Sequence, residues 1–376
     1  MGSVGRLGVL LGVAALGLAA CGAPDAQRQR ALESLFRAYQ GDVPGASVVV
    51  LKDAHAVYAR AFGQADLEGH IAATTATNYR LASMTKEFTA AAVLLLAQEG
   101  RLSLGDPISR WLPGLPPADA PITVRQLLTH TSGLIDYEEL IPPGTTEQLH
   151  DADVLRLLQG QDRTYFPPGS AYRYSDSGYS LLSLIVARVS NGDFATFLRQ
   201  RIFLPLNMRG SLAYEAGITT VPRRAYGYSL VAGHWTRTDQ SLTSAVLGDG
   251  GVYSSVEDLA RWDEALYSDV ILKAATRAAA FSIATPTDDP NVGYGYGWRI
   301  TGETVWHSGE SIGFRNVIVR WPKRHFTVII LTNRDDPEPY TLALAVAKLW
   351  YPDADAVRAQ AVVVGPDSGA RPLPKN

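Results

Sequence analysis

Cysteine is almost absent from this 376-residue chain: Cys21 is the only one, so no disulfide can close within it. Lysine is nearly as scarce, with six among the 34 Lys and Arg residues. There is no basic run and the net charge is −3, a balance that argues against nucleic acid as a partner. The seven histidines are scattered and no Cys/His cluster has metal-ligand spacing, so neither a metal nor another cofactor is expected. No segment repeats itself. The one long apolar run, Leu7 to Ala20, falls short of the roughly 20 residues that a membrane span needs.

That run follows the basic start Met1 to Arg6 and reads as an export signal over residues 1–20. It ends Leu18-Ala19-Ala20-Cys21, which resembles the bacterial lipoprotein processing box. The expectation is cleavage before Cys21, lipidation of its thiol and a lipidated linker over 21–29. The protein would then sit in the periplasm or cell envelope, held to the membrane by its lipid and close to cell-wall peptides.

The stretch with most chemistry is Ser83-Met84-Thr85-Lys86. Apolar residues at helical spacing follow it (Phe88, Ala91, Leu94, Leu95), so Ser83 and Lys86 fall one turn apart at a helix start. A serine hydroxyl attacks only once its proton is removed, and a lysine of depressed pKa can remove it. None of the other five lysines has a serine three residues before it.

Two further segments carry matching chemistry. Tyr174-Ser175-Asp176 follows the turn Pro168-Gly169 and precedes a helical run, Leu181 to Val189, which puts the Tyr174 phenol on a loop where it can relay a proton. His307-Ser308-Gly309-Glu310 lies between strand-like runs. There His307 is expected at a strand end, Gly309 leaves room for a substrate backbone, and the next amide can face a developing oxyanion. Gly309-Glu310-Ser311-Ile312-Gly313 also matches Gly-x-Ser-x-Gly, but strand-like sequence follows it and His325 is the only later histidine, so the nucleophile-elbow context is missing.

Together, Ser83-x-x-Lys86, Tyr174-x-Asp176 and His307-Ser308-Gly309 resemble the penicillin-recognising serine hydrolases, in the branch of class C β-lactamases, D-alanyl-D-alanine carboxypeptidases and β-lactamase-like esterases. Leu127-Leu128-Thr129-His130-Thr131-Ser132-Gly133-Leu134 and Gly250 to Leu259 extend the resemblance, which runs from about residue 30 to about 350. It implies a β-lactamase/transpeptidase-like fold, with Ser83 as the acylated nucleophile and Lys86 and Tyr174 sharing the acid/base work. His307 would line the opposite wall, the backbone amides of Ser83 and Glu310 would form the oxyanion hole, and Asp176, Ser308 and Gly309 would contact substrate. The branch usually has asparagine at the position of Asp176. An ionised aspartate only accepts hydrogen bonds, and its charge favours protonated Lys86, which shifts weight onto Tyr174. The resemblance therefore implies hydrolysis of D-amino-acid peptides or small esters ahead of β-lactam turnover. A catalytically silent envelope protein that binds cell-wall peptide is the reading from another class.

The layout predicts an α+β fold. A helix is expected over Gln27–Tyr39 and paired strands over Ser47–Lys52 and Ala56–Phe62. Strand-like runs return at Tyr294–Thr301, Thr304–His307, Gly313–Trp321 and Phe326–Thr332, and a helix follows over Leu342–Trp350. One antiparallel sheet would form from segments 30–82 and 290–352, flanked by helices, with a mainly helical lobe (83–289) inserted and a poorly packed tail (353–376).

Overall fold

The computed structural model describes residues 23–354 and 371–372. The expected export signal, the Cys21 lipidation site and most of the tail lie outside the described residues.

An eight-stranded antiparallel sheet is built from both ends of the chain. Its order is Thr285–Pro286, Gly293–Tyr294, Arg299–Thr301, Thr304–Ser311, Phe314–Trp321, Phe326–Thr332, Ala46–Lys52 and His55–Phe62. The seam between the chain ends runs in register from Ala46 opposite Thr332 to Lys52 opposite Phe326. Asn333 ties this seam to the inserted lobe: its Oδ1 accepts from the Gly45 amide (2.6 Å) and its Nδ2 donates to the carbonyl of Tyr226 (2.8 Å).

Both faces of the central strands are covered, which is why they are almost continuously apolar. Val48 and Val50 pack on one side with Leu32, Phe36 and Val346, while Val49 and Leu51 face the helical lobe. Val328 and Ile330 alternate with Ile329 and Leu331 in the same way. Each such side chain, fully buried, contributes about 1.5–3 kcal/mol. The helices Ala23–Leu35 and Tyr340–Lys348 cover the first face; Thr85–Gln98 and Val256–Ala265 belong to the second.

Three expectations change. The helix begins at Ala23, so most of the expected linker is helical. The run Tyr294–Thr301 is two short strands, because Gly297 turns the chain at φ +79° against the start of the helix Thr85–Gln98, where a Cβ would stand 2.7 Å from the Lys86 carbonyl. The run expected over Thr304–His307 continues to Ser311, so His307 sits in mid-strand and not at a strand end. In the tail, Arg371–Pro372 pairs antiparallel with Ala171–Tyr172.

Candidate active site

Ser83 lies on a 3-10 turn, Ala82–Met84, that runs directly into the helix Thr85–Gln98. The turn is fastened from both lobes. The Leu81 amide donates to the Val252 carbonyl (2.8 Å), and Asn316 Nδ2 of the sheet donates to the Arg80 carbonyl (2.8 Å). Ala82 has φ +50°, an uncommon backbone for a residue with a side chain, immediately before the serine. Gly309 of the strand Thr304–Ser311 packs on this turn, where an added Cβ would stand 1.9 Å from the Leu81 carbonyl oxygen. The side of Gly309 that a Cβ would occupy is therefore filled by the Ser83 turn, and glycine is required for that contact.

Lys86 is buried, and all three of its ammonium donors are used. They reach Ser83 Oγ at 3.1 Å, Asp176 Oδ1 at 2.6 Å and the Asp249 carbonyl at 3.0 Å. Burial alone pulls its pKa down, but the charge of Asp176 and further negative groups outweigh it, so the net shift is upward. Ser83 thus receives a hydrogen bond from an ammonium, and Lys86 in this state cannot take the serine proton. The sequence expectation that Asp176 favours protonated Lys86 holds in direction.

Tyr174 stands at the mouth of the helix Asp176–Ser190, whose N-cap is Ser175. Its ring centroid is 4.9 Å from Lys86 Nζ, and its hydroxyl is buried with no hydrogen-bond partner. Burial raises its pKa against the lowering effect of Lys86, so the phenol is neutral. His130, at φ +58°, lies 4.3 Å from the Tyr174 ring, and its Nδ1 accepts from the Ser175 amide at 3.1 Å. Burial and the cations Lys86 and Arg299 keep this imidazole neutral, so its proton is on Nε2, which is buried without a partner.

His307 is neutral for the same reasons, burial first and then Arg299. Its Nδ1–H donates to the Ser308 carbonyl (2.6 Å), and its Nε2 therefore accepts from the Tyr294 hydroxyl (3.1 Å). Both ring nitrogens are engaged within the protein. Ser308 is buried, and Glu310 pairs loosely with Arg315 at 3.7 Å. From His307 to Ser311 the strand has no partner on the side of Arg299–Thr301, so that edge is open beside the Ser83 turn.

Two charged groups were not foreseen. Arg299 is 6% exposed and, among the described residues, makes no direct ion pair, though Glu310 acts on it at longer range; its guanidinium lies over the rings of Tyr174 (5.3 Å) and Trp306 (5.5 Å), and its Nε is buried and unpaired. A lone arginine in an otherwise apolar strand run was the available signal. Asp249 is buried, accepts from the Tyr137 hydroxyl (3.1 Å) and is driven well up in pKa by burial and then by Asp176. Asp136 is likewise pushed up to about 7, by burial first and then by Asp176. Among the described residues no three His, Cys, Asp or Glu side chains converge as metal ligands.

A family model described as Beta-lactamase matches residues 32–349. Penicillin-binding protein 4* of Bacillus subtilis is 30% identical over 320 residues, covering 80% of this chain and 70% of that protein. Among solved structures, the octameric penicillin-binding protein homologue from Pyrococcus abyssi aligns with TM-score 0.76 and 27% identity, over 86% of this chain and 77% of that one. The D-amino acid amidase from Ochrobactrum anthropi SV3 shares the fold, with TM-score 0.75 at 24% identity over 88% of this chain and 100% of that one. With the antiparallel sheet, the inserted helical lobe and the Ser83–Lys86 pair at their junction, these likenesses show that the chain belongs to the beta-lactamase family of serine hydrolases.

Proposed function

We propose that the protein is an acyl-transferring serine hydrolase whose substrates are short D-amino-acid peptides with a free C-terminal carboxylate, cleaved in the manner of a carboxypeptidase. The observation that carries this choice is Arg299, a buried cation beside Tyr174 that makes no direct ion pair among the described residues, Glu310 acting on it only at longer range. An unpaired buried guanidinium is costly, and a substrate carboxylate on the leaving-group side satisfies it bidentately. A small neutral ester offers it nothing.

In this reading the Ser83 Oγ–carbon bond forms as the peptide C–N bond breaks. The Ser83 proton passes through Lys86 and Tyr174 to the departing amine, and water then cleaves the acyl-enzyme to free the acid. The amides of Ser83 and Glu310, on the turn and on the open strand edge, are suited to hold the oxyanion. His307, with both nitrogens engaged, acts as a wall and not as a proton carrier. The export signal and Cys21 box support a location outside the cytoplasm on a lipid tether, near cell-wall peptides.

The test compares hydrolysis of D-alanyl-D-alanine with that of its C-terminal amide, in the parent and in Ser83→Ala and Arg299→Gln. The free acid should be preferred by about tenfold or more, the preference should vanish in Arg299→Gln, and Ser83→Ala should be inactive. Undiminished turnover by Ser83→Ala would refute the nucleophile.

A further inference from the structure

The carboxylate of Asp176 is only half occupied in the resting site: one oxygen pairs with Lys86 and the other faces the cleft. Its Oδ1 holds Lys86, which lies within hydrogen-bond reach of Ser83, so the carboxylate is within about 6 Å of the nucleophile. The side chain is 29% exposed, and among the described residues no hydrogen bond reaches its second oxygen. The groups around it are mostly acidic. Asp136, Glu138 and Asp249 all have pKa values raised by burial first and then by Asp176, while Tyr137 and Tyr174 are neutral phenols. Among the described residues Lys86 is the only cation bonded to Asp176. With Asp136 and Asp249 held toward their neutral forms, the negative charge that faces the cleft is that of Asp176 itself, with the cations Lys86 and Arg299 beyond it.

We infer that Asp176 selects an acyl donor with a free α-ammonium, so that the preferred substrate is an unblocked dipeptide or short peptide whose first residue supplies the acyl group. This rests on the proposed function and names the acyl-side chemistry that Arg299 leaves open.

Three physical points carry the inference. First, a carbonyl carbon poised about 3–3.5 Å from Ser83 Oγ has its α-nitrogen two bonds away, which brings that nitrogen within reach of Asp176. Second, an ionised carboxylate only accepts, so it pairs with an ammonium, whereas the carbonyl of a blocking acyl group would face it without a donor. The buried Tyr174 hydroxyl, which has no partner, can accept another ammonium hydrogen. Third, the arriving cation changes Lys86. In the empty site Lys86 donates to Ser83 and cannot act as a base. A substrate ammonium sharing Asp176 weakens that ion pair and adds like-charge repulsion, so Lys86 releases a proton to solvent and can then accept the one from Ser83. The substrate's own charge thus switches on the base.

The experiment measures kcat/KM for D-alanyl-D-alanine and for N-acetyl-D-alanyl-D-alanine with the full chain, Asp176→Asn and Asp176→Glu. The parent should favour the unblocked peptide by about tenfold or more. Asp176→Glu should keep a preference of the same sign, while Asp176→Asn should lose or invert it. Because the readout is a ratio on one protein sample, partial misfolding does not move it. Equal or better turnover of the acetylated peptide by the parent, or an undiminished preference in Asp176→Asn, would overturn the inference. Ser83-dependent cleavage of the acetylated peptide would at the same time leave the proposed function standing. If neither peptide is cleaved, both fall.

Discussion

Replacing Asp176 with asparagine removes one charge and keeps the shape, so it isolates what that charge does to Lys86. In the parent, burial pulls the Lys86 pKa down and the carboxylate at 2.6 Å more than reverses this. Asp249 and Tyr174 also lie beside Lys86, yet both are themselves driven toward their neutral forms. Asp176 therefore supplies most of the stabilisation of the ammonium. An opposite charge this close is worth about 1–3 pKa units, or about 1.4–4 kcal/mol between the two forms of Lys86. Without it only the burial effect remains, and Lys86 deprotonates at lower pH.

The assay is the pH profile of kcat/KM for p-nitrophenyl acetate, chosen because it brings no ammonium of its own. Its rising basic limb should lie at the alkaline end for the parent and move down by about 1–3 pH units in Asp176→Asn. Loss of Asp176 also lowers the Tyr174 pKa, though there burial is the larger cause. Adding Tyr174→Phe to both proteins separates the two, since the displacement survives if Lys86 carries it. A limb that stays within about half a unit in Asp176→Asn would refute the argument that this ion pair sets the resting state.

Two further outcomes follow from the same geometry. Gly309→Ala places a Cβ against the Leu81 carbonyl, where backbone must move; a loss of about 1–3 kcal/mol in chemical denaturation is expected, with ester hydrolysis down by about 10²-fold as the Ser83 turn shifts. Asp136, pushed up to about 7, costs stability wherever the unfolded chain is ionised and the folded one is not; the cost grows between about pH 4 and about pH 7 and is constant above. Asp136→Asn should therefore match the parent in Tm at pH 3.5 (roughly the unperturbed carboxylate range) and exceed it above about pH 7 by calorimetry, the Asn oxygen still capping the Glu138 amide.

The parts of this architecture that local pattern controls were legible in the sequence. Strand-like apolar runs over Gly313–Trp321 and Phe326–Thr332 matched the observed strands to within a residue, and the Pro-Gly turn ahead of Tyr174 placed that phenol at a helix mouth. What was misread depended on contacts between distant segments. Tyr294–Thr301 has the composition of one strand, but Gly297 must bend away because the helix of Lys86 passes beneath it. Gly309 was read as leaving room for substrate, and a further demand on it, close packing of the Leu81 carbonyl from more than two hundred residues earlier, shows in no local pattern. His130 belonged to a quoted segment, yet its bond to the Ser175 amide joins residues 45 apart that no periodicity connects.

The charge arrangement explains why two histidines sit in this cleft without serving as its bases. Lys86 and Arg299 are fixed cations on either side of Tyr174, and their fields, added to burial, keep both His130 and His307 neutral. Neutral imidazoles can then act as rigid hydrogen-bonding spacers: His130 holds the amide that follows Tyr174, and His307 accepts from Tyr294 while donating to its own strand. Neither can acquire a proton at neutral pH without facing two cations in a buried wall, so neither competes with Ser83 for its hydrogen. In the proposed mechanism the acid/base work is left to Lys86 and Tyr174, and Asp176 is the charge that acts on both, Arg299 lowering the Tyr174 pKa as well. That makes position 176, and not the histidine wall, the place where a change of substrate class would be written first.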